Sequence, residues 1–282
     1  MTSKLENGLL KKEKEYYKIG GNMKVSLIQM NSKDNKQENI EKAIKFMDEA
    51  VNQNTDIICL SEKFLYWGNG RSAENIDSAV IEKFKEYAKK NNVNIILGSI
   101  ALKYENTENI TNTCFVINRN GEIIHRYDKI YMYTVDRPDL KIDEGNDTVK
   151  GNKLGIVEID GVKIGIGICF DLRYPEYFKA LALNGAEIMF LPSSFRKTTG
   201  AVAWEVLTKA RAIENQAYFC ACNQTGGIAE KERCGNTQII SYDGSIISNI
   251  DKDEGIIIAD LDIEKLRRFR KEFPILKQIE KF

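Results

Sequence analysis

The segment VKIGIGICFDLRYPEYFKALALNGAEIMFLP (162–192) decides the fold. Its first seven residues alternate Val or Ile with Lys or Gly and read as a strand. Pro175 then opens a helix, because its fixed φ suits the first turn and its missing N–H is not needed there. Gly185 suits the exit from that helix. AEIMFLP (186–192) is a second apolar strand. The same order occurs at 23–60. There MKVSLIQM (23–30) reads as a strand, Ile40, Ile44, Met47 and Val51 fall at near-helical spacing across 36–52, and DIICL (56–60) is a short buried strand. Two strand–helix–strand units in one chain predict an α/β layered fold with sheets inside and helices outside.

The remaining segments extend this pattern. A helix is predicted at 76–91 through Ile76, Val80, Phe84 and Tyr87, and a strand at 94–100. Hairpins are predicted at Asn120-Gly121, Asp160-Gly161 and Asp243-Gly244, since these dipeptides accept the positive φ of tight turns. A helix at 200–215, a strand at 217–223, a last strand at EGIIIADLD (254–262) and a basic helix at 263–271 complete the chain. Residues 129–152, with Pro138, Gly145 and Gly151, read as a long irregular loop. Residues 1–22 are rich in Lys and Glu and read as an N-terminal tail or surface helix. No Ser/Pro-rich linker splits 23–282, which predicts one domain there.

Composition narrows the function. The 282 residues carry 41 Lys plus Arg and 41 Asp plus Glu, so no net basic field draws the chain to nucleic acid. No stretch approaches the length of a membrane span and no leader-like apolar run opens the chain. The six cysteines form no C-x-x-C pair, which fits a reduced, cytoplasmic protein. The single histidine, His125, excludes any centre needing two histidines from one chain. It sits within an alternating strand and reads as structural or surface. No ligand motif of recognised spacing joins Asp160, Asp171 and Glu176, so no metal or other cofactor is expected.

Three reactive residues share one local context. Glu62 follows DIICL, Lys129 follows EIIHRY and Cys169 follows VKIGIGI. Each stands at or just past the end of a predicted strand, where α/β sheets open into a binding crevice. A thiolate there can attack, a carboxylate can move protons, and an ammonium can stabilise negative charge. Each residue also has a plainer reading. Cys169 also reads as a buried thiol like Cys59, Cys114 and Cys220, and Glu62 and Lys129 as solvated charges. Arg173 and Glu176, spaced i and i+3, read as a structural pair.

The stretch GIGICFDLRYPEYFKALALNGAEIMFLPSSF resembles the nucleophile segment of the nitrilase superfamily, the carbon–nitrogen hydrolases. LSEKFLYWG, RYDKIYMYTVD and WEVLTKARAIENQAYFCACNQTG are similar, in order, to its glutamate, lysine and later helix–strand segments. The resemblance runs from about Met23 to about Pro274. It implies a four-layer α-β-β-α sandwich and a catalytic triad of Glu62, Lys129 and Cys169. It further implies a supporting Glu144, an oxyanion hole from Lys129 and the Phe170 N–H, and a homodimer or larger homo-oligomer. PSSFRKTTGAVAWEVL is most similar to the omega-amidase and deaminated-glutathione amidase branch, whose substrates are small carboxylate-bearing amides. Water would be the second reactant, and Arg173, Phe195 and Arg196 are candidates for binding the substrate. Two departures from that branch are Ala203 before Trp204 and the Gly235-Asn236-Thr237 element. A nitrilase or N-carbamoyl hydrolase using the same triad is the alternative enzyme. A non-catalytic binding protein on the same fold is the alternative class.

Overall fold

The computed structural model describes residues 21–66, 73–104, 107–227 and 231–279. The expected tail therefore lies outside the described residues, apart from its last two. The first half comprises β1 (Asn22–Gln29), α1 (Lys36–Asn52), β2 (Ile57–Leu60), α2 (Ala79–Asn91), β3 (Asn94–Lys103), β4 (Ile110–Ile117) and β5 (Ile123–Asp128). A small hairpin of β6 (Thr134–Arg137) and β7 (Leu140–Asp143) and the strand β8 (Gly155–Ile159) follow. The second half comprises β9 (Val162–Ile166), α3 (Pro175–Leu183), β10 (Ile188–Ser193), α4 (Lys197–Asn215), β11 (Tyr218–Asn223), β12 (Thr237–Ile240) and β13 (Ile246–Ile250). The chain ends through β14 (Gly255–Asp262) and α5 (Ile263–Glu272).

The two halves repeat one plan. In the first sheet β1, β2 and β3 are parallel, and β4 and β5 return antiparallel. In the second sheet β9, β10 and β11 are parallel, and β12 and β13 return antiparallel. One flanking strand completes each six-stranded sheet, β14 beside β1 and β8 beside β9. The echo seen in the sequence at 23–60 and 162–191 is thus the start of a longer repeat.

Side-chain alternation stacks these sheets into four layers. Val25, Leu27, Ile57 and Cys59 of the first sheet share one core with Ile164 and Ile166 of the second. The other face of the first sheet, through Ile28, Ile58, Leu60 and Ile95, meets Ile40, Ala43 and Met47 of α1 and Ile81, Phe84 and Ala88 of α2. On the far side α3 packs on the second sheet, where Gly165 leaves room for Leu181 and Met189. The result is the expected α-β-β-α order. Among the described residues, no helix is long and apolar enough to cross a membrane.

Two local expectations change. Ile76 lies outside α2 and is exposed, because Ser78 caps the helix by accepting the Ile81 N–H at 3.4 Å. The segment 129–152 is not wholly irregular, since it holds the β6–β7 hairpin, with Pro138 and Asp139 at its tip. Those strands have four residues each and largely exposed side chains; β6 has one apolar residue and the alternation of β7 is too short to mark a strand in sequence. The Asp160-Gly161 hairpin is as expected, with positive φ at both positions, 51° and 77°.

Candidate active site

The parallel strands of each sheet end on one side, and there the reactive residues meet. Glu62 lies two residues past β2, Lys129 follows β5 directly, and Cys169 lies three residues past β9. They sit on a cavity of about 520 Å³. Glu144, Phe170, Arg173, Phe195 and Arg196 line the same cavity, so all eight residues singled out in the sequence converge.

Glu62 is fixed from both sheets. Its backbone bridges Ser99 of β3, and its carbonyl accepts the Gln224 side-chain N–H at 2.7 Å. This close strand contact requires Gly98, because a Cβ there would lie 2.2 Å from the Ser61 carbonyl oxygen. Of the carboxylate oxygens, Oε2 accepts the Ser194 N–H at 2.8 Å, and Oε1 accepts from Asn112 Nδ2 at 2.9 Å and Lys129 Nζ at 3.3 Å.

Lys129 is 1% exposed. Its N–H donates to the Asn112 carbonyl and its own carbonyl accepts from Gly151. Its ammonium donates to Glu144 Oε2 at 2.7 Å as well as to Glu62. Burial works against the ammonium, but Glu144 and Glu62, then Cys169, outweigh it and hold Lys129 charged well above its ordinary range. Burial likewise works against ionised Glu144. Lys129, Lys63 and the Tyr133 N–H outweigh that penalty and hold its carboxyl below the usual carboxylate range.

Cys169 is held differently. It opens a short 3₁₀ turn, Cys169–Arg173, with a φ of +45°, a region that side-chain-bearing residues rarely occupy. Asp171 and Arg211 brace the turn. Asp171 is fully buried, and its carboxylate accepts Ile168 N–H at 2.8 Å, Tyr127 OH at 2.7 Å and Tyr131 N–H at 3.0 Å. Arg211 donates twice to the Leu172 carbonyl, at 2.7 and 3.1 Å. Burial, then Glu62, push the Cys169 thiol well above its ordinary range, while Lys129 and the Ser194 N–H favour the thiolate. The resting group is therefore a thiol whose proton has a carboxylate acceptor beside it. Such an arrangement can deprotonate a nucleophile only as it attacks, and can meet the resulting oxyanion with an ammonium.

The expected Arg173–Glu176 pair does not form. Arg173 ends the 3₁₀ turn and Glu176 lies in the first turn of α3, which begins at Pro175, so the two do not share a helical face. Instead Arg173 donates to the Thr199 carbonyl at 2.7 Å and sits over the rings of Phe170 and Phe195, at 5.6 and 5.4 Å from their centroids. Arg196 lies over Tyr133 and its backbone bridges Arg233. His125 is not among the cavity-lining residues, and burial lowers its pKa. Sequence reading missed Asn112, Tyr133 and Arg233. Asn112 stands between Thr111 and Thr113 in ITNTCFVI, so nothing in the local pattern sets it apart. Among the described residues, no cluster of His, Cys, Asp or Glu could hold a metal ion, and Asp171 is taken up by three protein donors.

Residues 24–271 match the carbon-nitrogen hydrolase family. The chain belongs to that family. Two relatives of this carbon-nitrogen hydrolase are similar over most of its length. Deaminated glutathione amidase of Dictyostelium discoideum is 33% identical over 267 residues, covering 89% of this chain and 92% of that protein. The 2-oxoglutaramate amidase of Bacillus subtilis is 30% identical over 251 residues, covering 86% and 92%. Among solved structures, Saccharomyces cerevisiae Nit3, a member of branch 10 of the nitrilase superfamily, has a TM-score of 0.82 and 25% identity, covering 92% of this chain and 96% of that one. The hydrolase thus has the nitrilase-type sandwich that its motifs imply.

Two outcomes follow from this geometry. Gly98→Ala must push β2 and β3 apart at Glu62, so it should destabilise the fold by about 1–3 kcal/mol and lower turnover more than about tenfold. Thermal melts and initial rates check both, and wild-type turnover would refute the close-packing argument. Burial pushes the Asp171 carboxyl up to about 6, against an ordinary 3.8. The folded state thus holds this proton more tightly than the unfolded chain, and that stabilisation is lost as pH rises from about 4 to about 6. Denaturant titrations should show the stability gap between wild type and Asp171→Asn narrowing over that window by up to about 3 kcal/mol. A gap that stays constant with pH would contradict the assigned cause.

Proposed function

We propose that this carbon-nitrogen hydrolase cleaves the terminal amide of a small carboxylate-bearing molecule through a thioester on Cys169, releasing ammonia. The observation that carries the reading is the buried Glu62–Lys129–Glu144 set beside Cys169, on a cavity that also bears Arg173 and Arg196. The activities named for the two relatives, on deaminated glutathione and 2-oxoglutaramate, support the same substrate class.

The reaction runs in two halves. Glu62 accepts the Cys169 proton as Sγ attacks the amide carbon. The carbonyl oxygen takes up the negative charge and is met by Lys129 Nζ and the Phe170 N–H at the start of the 3₁₀ turn. One such donor is typically worth about 3 kcal/mol in the transition state. Glu62 returns the proton to the amide nitrogen, the C–N bond breaks, and ammonia leaves with the acyl group on sulfur. A water then gives its proton to Glu62 and attacks the thioester carbon. The carboxylic acid departs and the thiol is restored. Glu144 contributes by keeping Lys129 charged and in place. Arg173, held between two rings with one nitrogen already used, offers the rest of its fork to the substrate carboxylate, and Phe195 packs beside the chain that links carboxylate to amide.

Ammonia release should be seen with 2-oxoglutaramate, 2-oxosuccinamate or deaminated glutathione in preference to N-carbamoyl amino acids and simple nitriles, with the acid product identified in each case. If none of these compounds yields ammonia, the assigned class is wrong. Cys169→Ala should lower turnover by at least about 1,000-fold, and intact-mass measurement of the wild type with substrate should reveal an acyl adduct that this variant lacks. By contrast, His125→Asn should keep turnover within about twofold, because no step uses imidazole. Loss of turnover in a folded His125 variant would overturn the mechanism.

A further inference from the structure

We infer that Asn112 is a positioning residue that clamps Glu62 and Glu144 around the Lys129 ammonium. The inference rests on the proposed role of Glu62 as the base for Cys169. Asn112 is 3% exposed, near the start of β4. Its amide nitrogen donates to Glu62 Oε1 at 2.9 Å and to Glu144 Oε1 at 3.2 Å, so one NH₂ group bridges two carboxylates. Both neighbours only accept, which fixes the amide orientation: turned over, its oxygen would face two anions. The fixed orientation leaves Asn112 Oδ1 buried with no donor among the described residues.

The electrostatics explain the arrangement. Two anions share the one buried ammonium, Lys129, and the amide protons add positive field between them. The other charged or titratable groups facing this pair are Lys63 beside Glu144, and Cys169 and Arg233 beside Glu62. Without the clamp, a proton relieves the repulsion instead, and Glu62 turns away from the thiol.

The test is the rate of Cys169 alkylation by iodoacetamide against pH, read on its own peptide by mass spectrometry, together with steady-state kinetics. Glu62→Gln should slow alkylation. Asn112→Leu should lower kcat on the order of 100-fold with KM within about threefold, and should move the acid limb of alkylation up by about one pH unit. Asn112→Asp, which adds a third carboxylate, should be worse, and Asn112→Asp combined with Glu144→Gln should recover at least about tenfold by exchanging amide and carboxylate. If circular dichroism shows Asn112→Leu unfolded, this exchange carries the test. A folded Asn112→Leu with an unmoved acid limb, or an exchange without recovery, would overturn the clamp. Equal alkylation of wild type and Glu62→Gln would instead remove the proposed base, and the clamp with it.

Discussion

The site is organised around one buried positive charge. An ammonium taken out of water is tolerated only where anions and other hydrogen-bond acceptors replace its hydration. Lys129 obtains this from Glu62 at 3.3 Å and Glu144 at 2.7 Å. Those carboxylates are in turn satisfied by the Ser194 and Tyr133 N–H groups and by Asn112. Each member is therefore held by the charge of another. A fixed charge pattern of this kind needs no rearrangement when negative charge develops on a substrate oxygen, which is what the proposed reaction demands.

A second constraint lies in the backbone. The left-handed φ of Cys169 is unfavourable by itself and persists because its surroundings over-determine it. Asp171 ties the turn to the strand end behind it and to Tyr131 in the facing loop, while Arg211 anchors Leu172 from α4. The thiol is thereby set against Glu62 without relying on its own side-chain freedom.

Much of this was legible in the sequence, for reasons that differ by element. Long alternating strands such as VKIGIGI carry their burial pattern in the side chains, and Pro175 and Gly185 mark the ends of α3. Glu62, Lys129 and Cys169 were legible because each follows a segment that reads as a strand. Glu144 came only through family resemblance, since it sits after the short β6–β7 hairpin, whose four-residue strands carry little signal in sequence. Arg173 was misread as a partner of Glu176, because the helix begins at Pro175 and their spacing does not lie along it. Asn112 and Arg233 act across long separations, on Glu62 and Ser194, and local pattern carries no trace of such contacts.

The repeat of two strand–helix halves has a consequence for how activity arises. Glu62 and Lys129 come from the first half, whereas Cys169 and Ser194 come from the second. The hydrogen bond that joins Glu62 to Ser194, just past β10, closes a sequence separation of 132 residues. Contacts of this span form late, after local structure is in place. During synthesis the first half thus emerges with a lysine and a glutamate but no paired thiol. Under the proposed mechanism a partly folded chain has no assembled site, and turnover reports the docking of one sheet on the other.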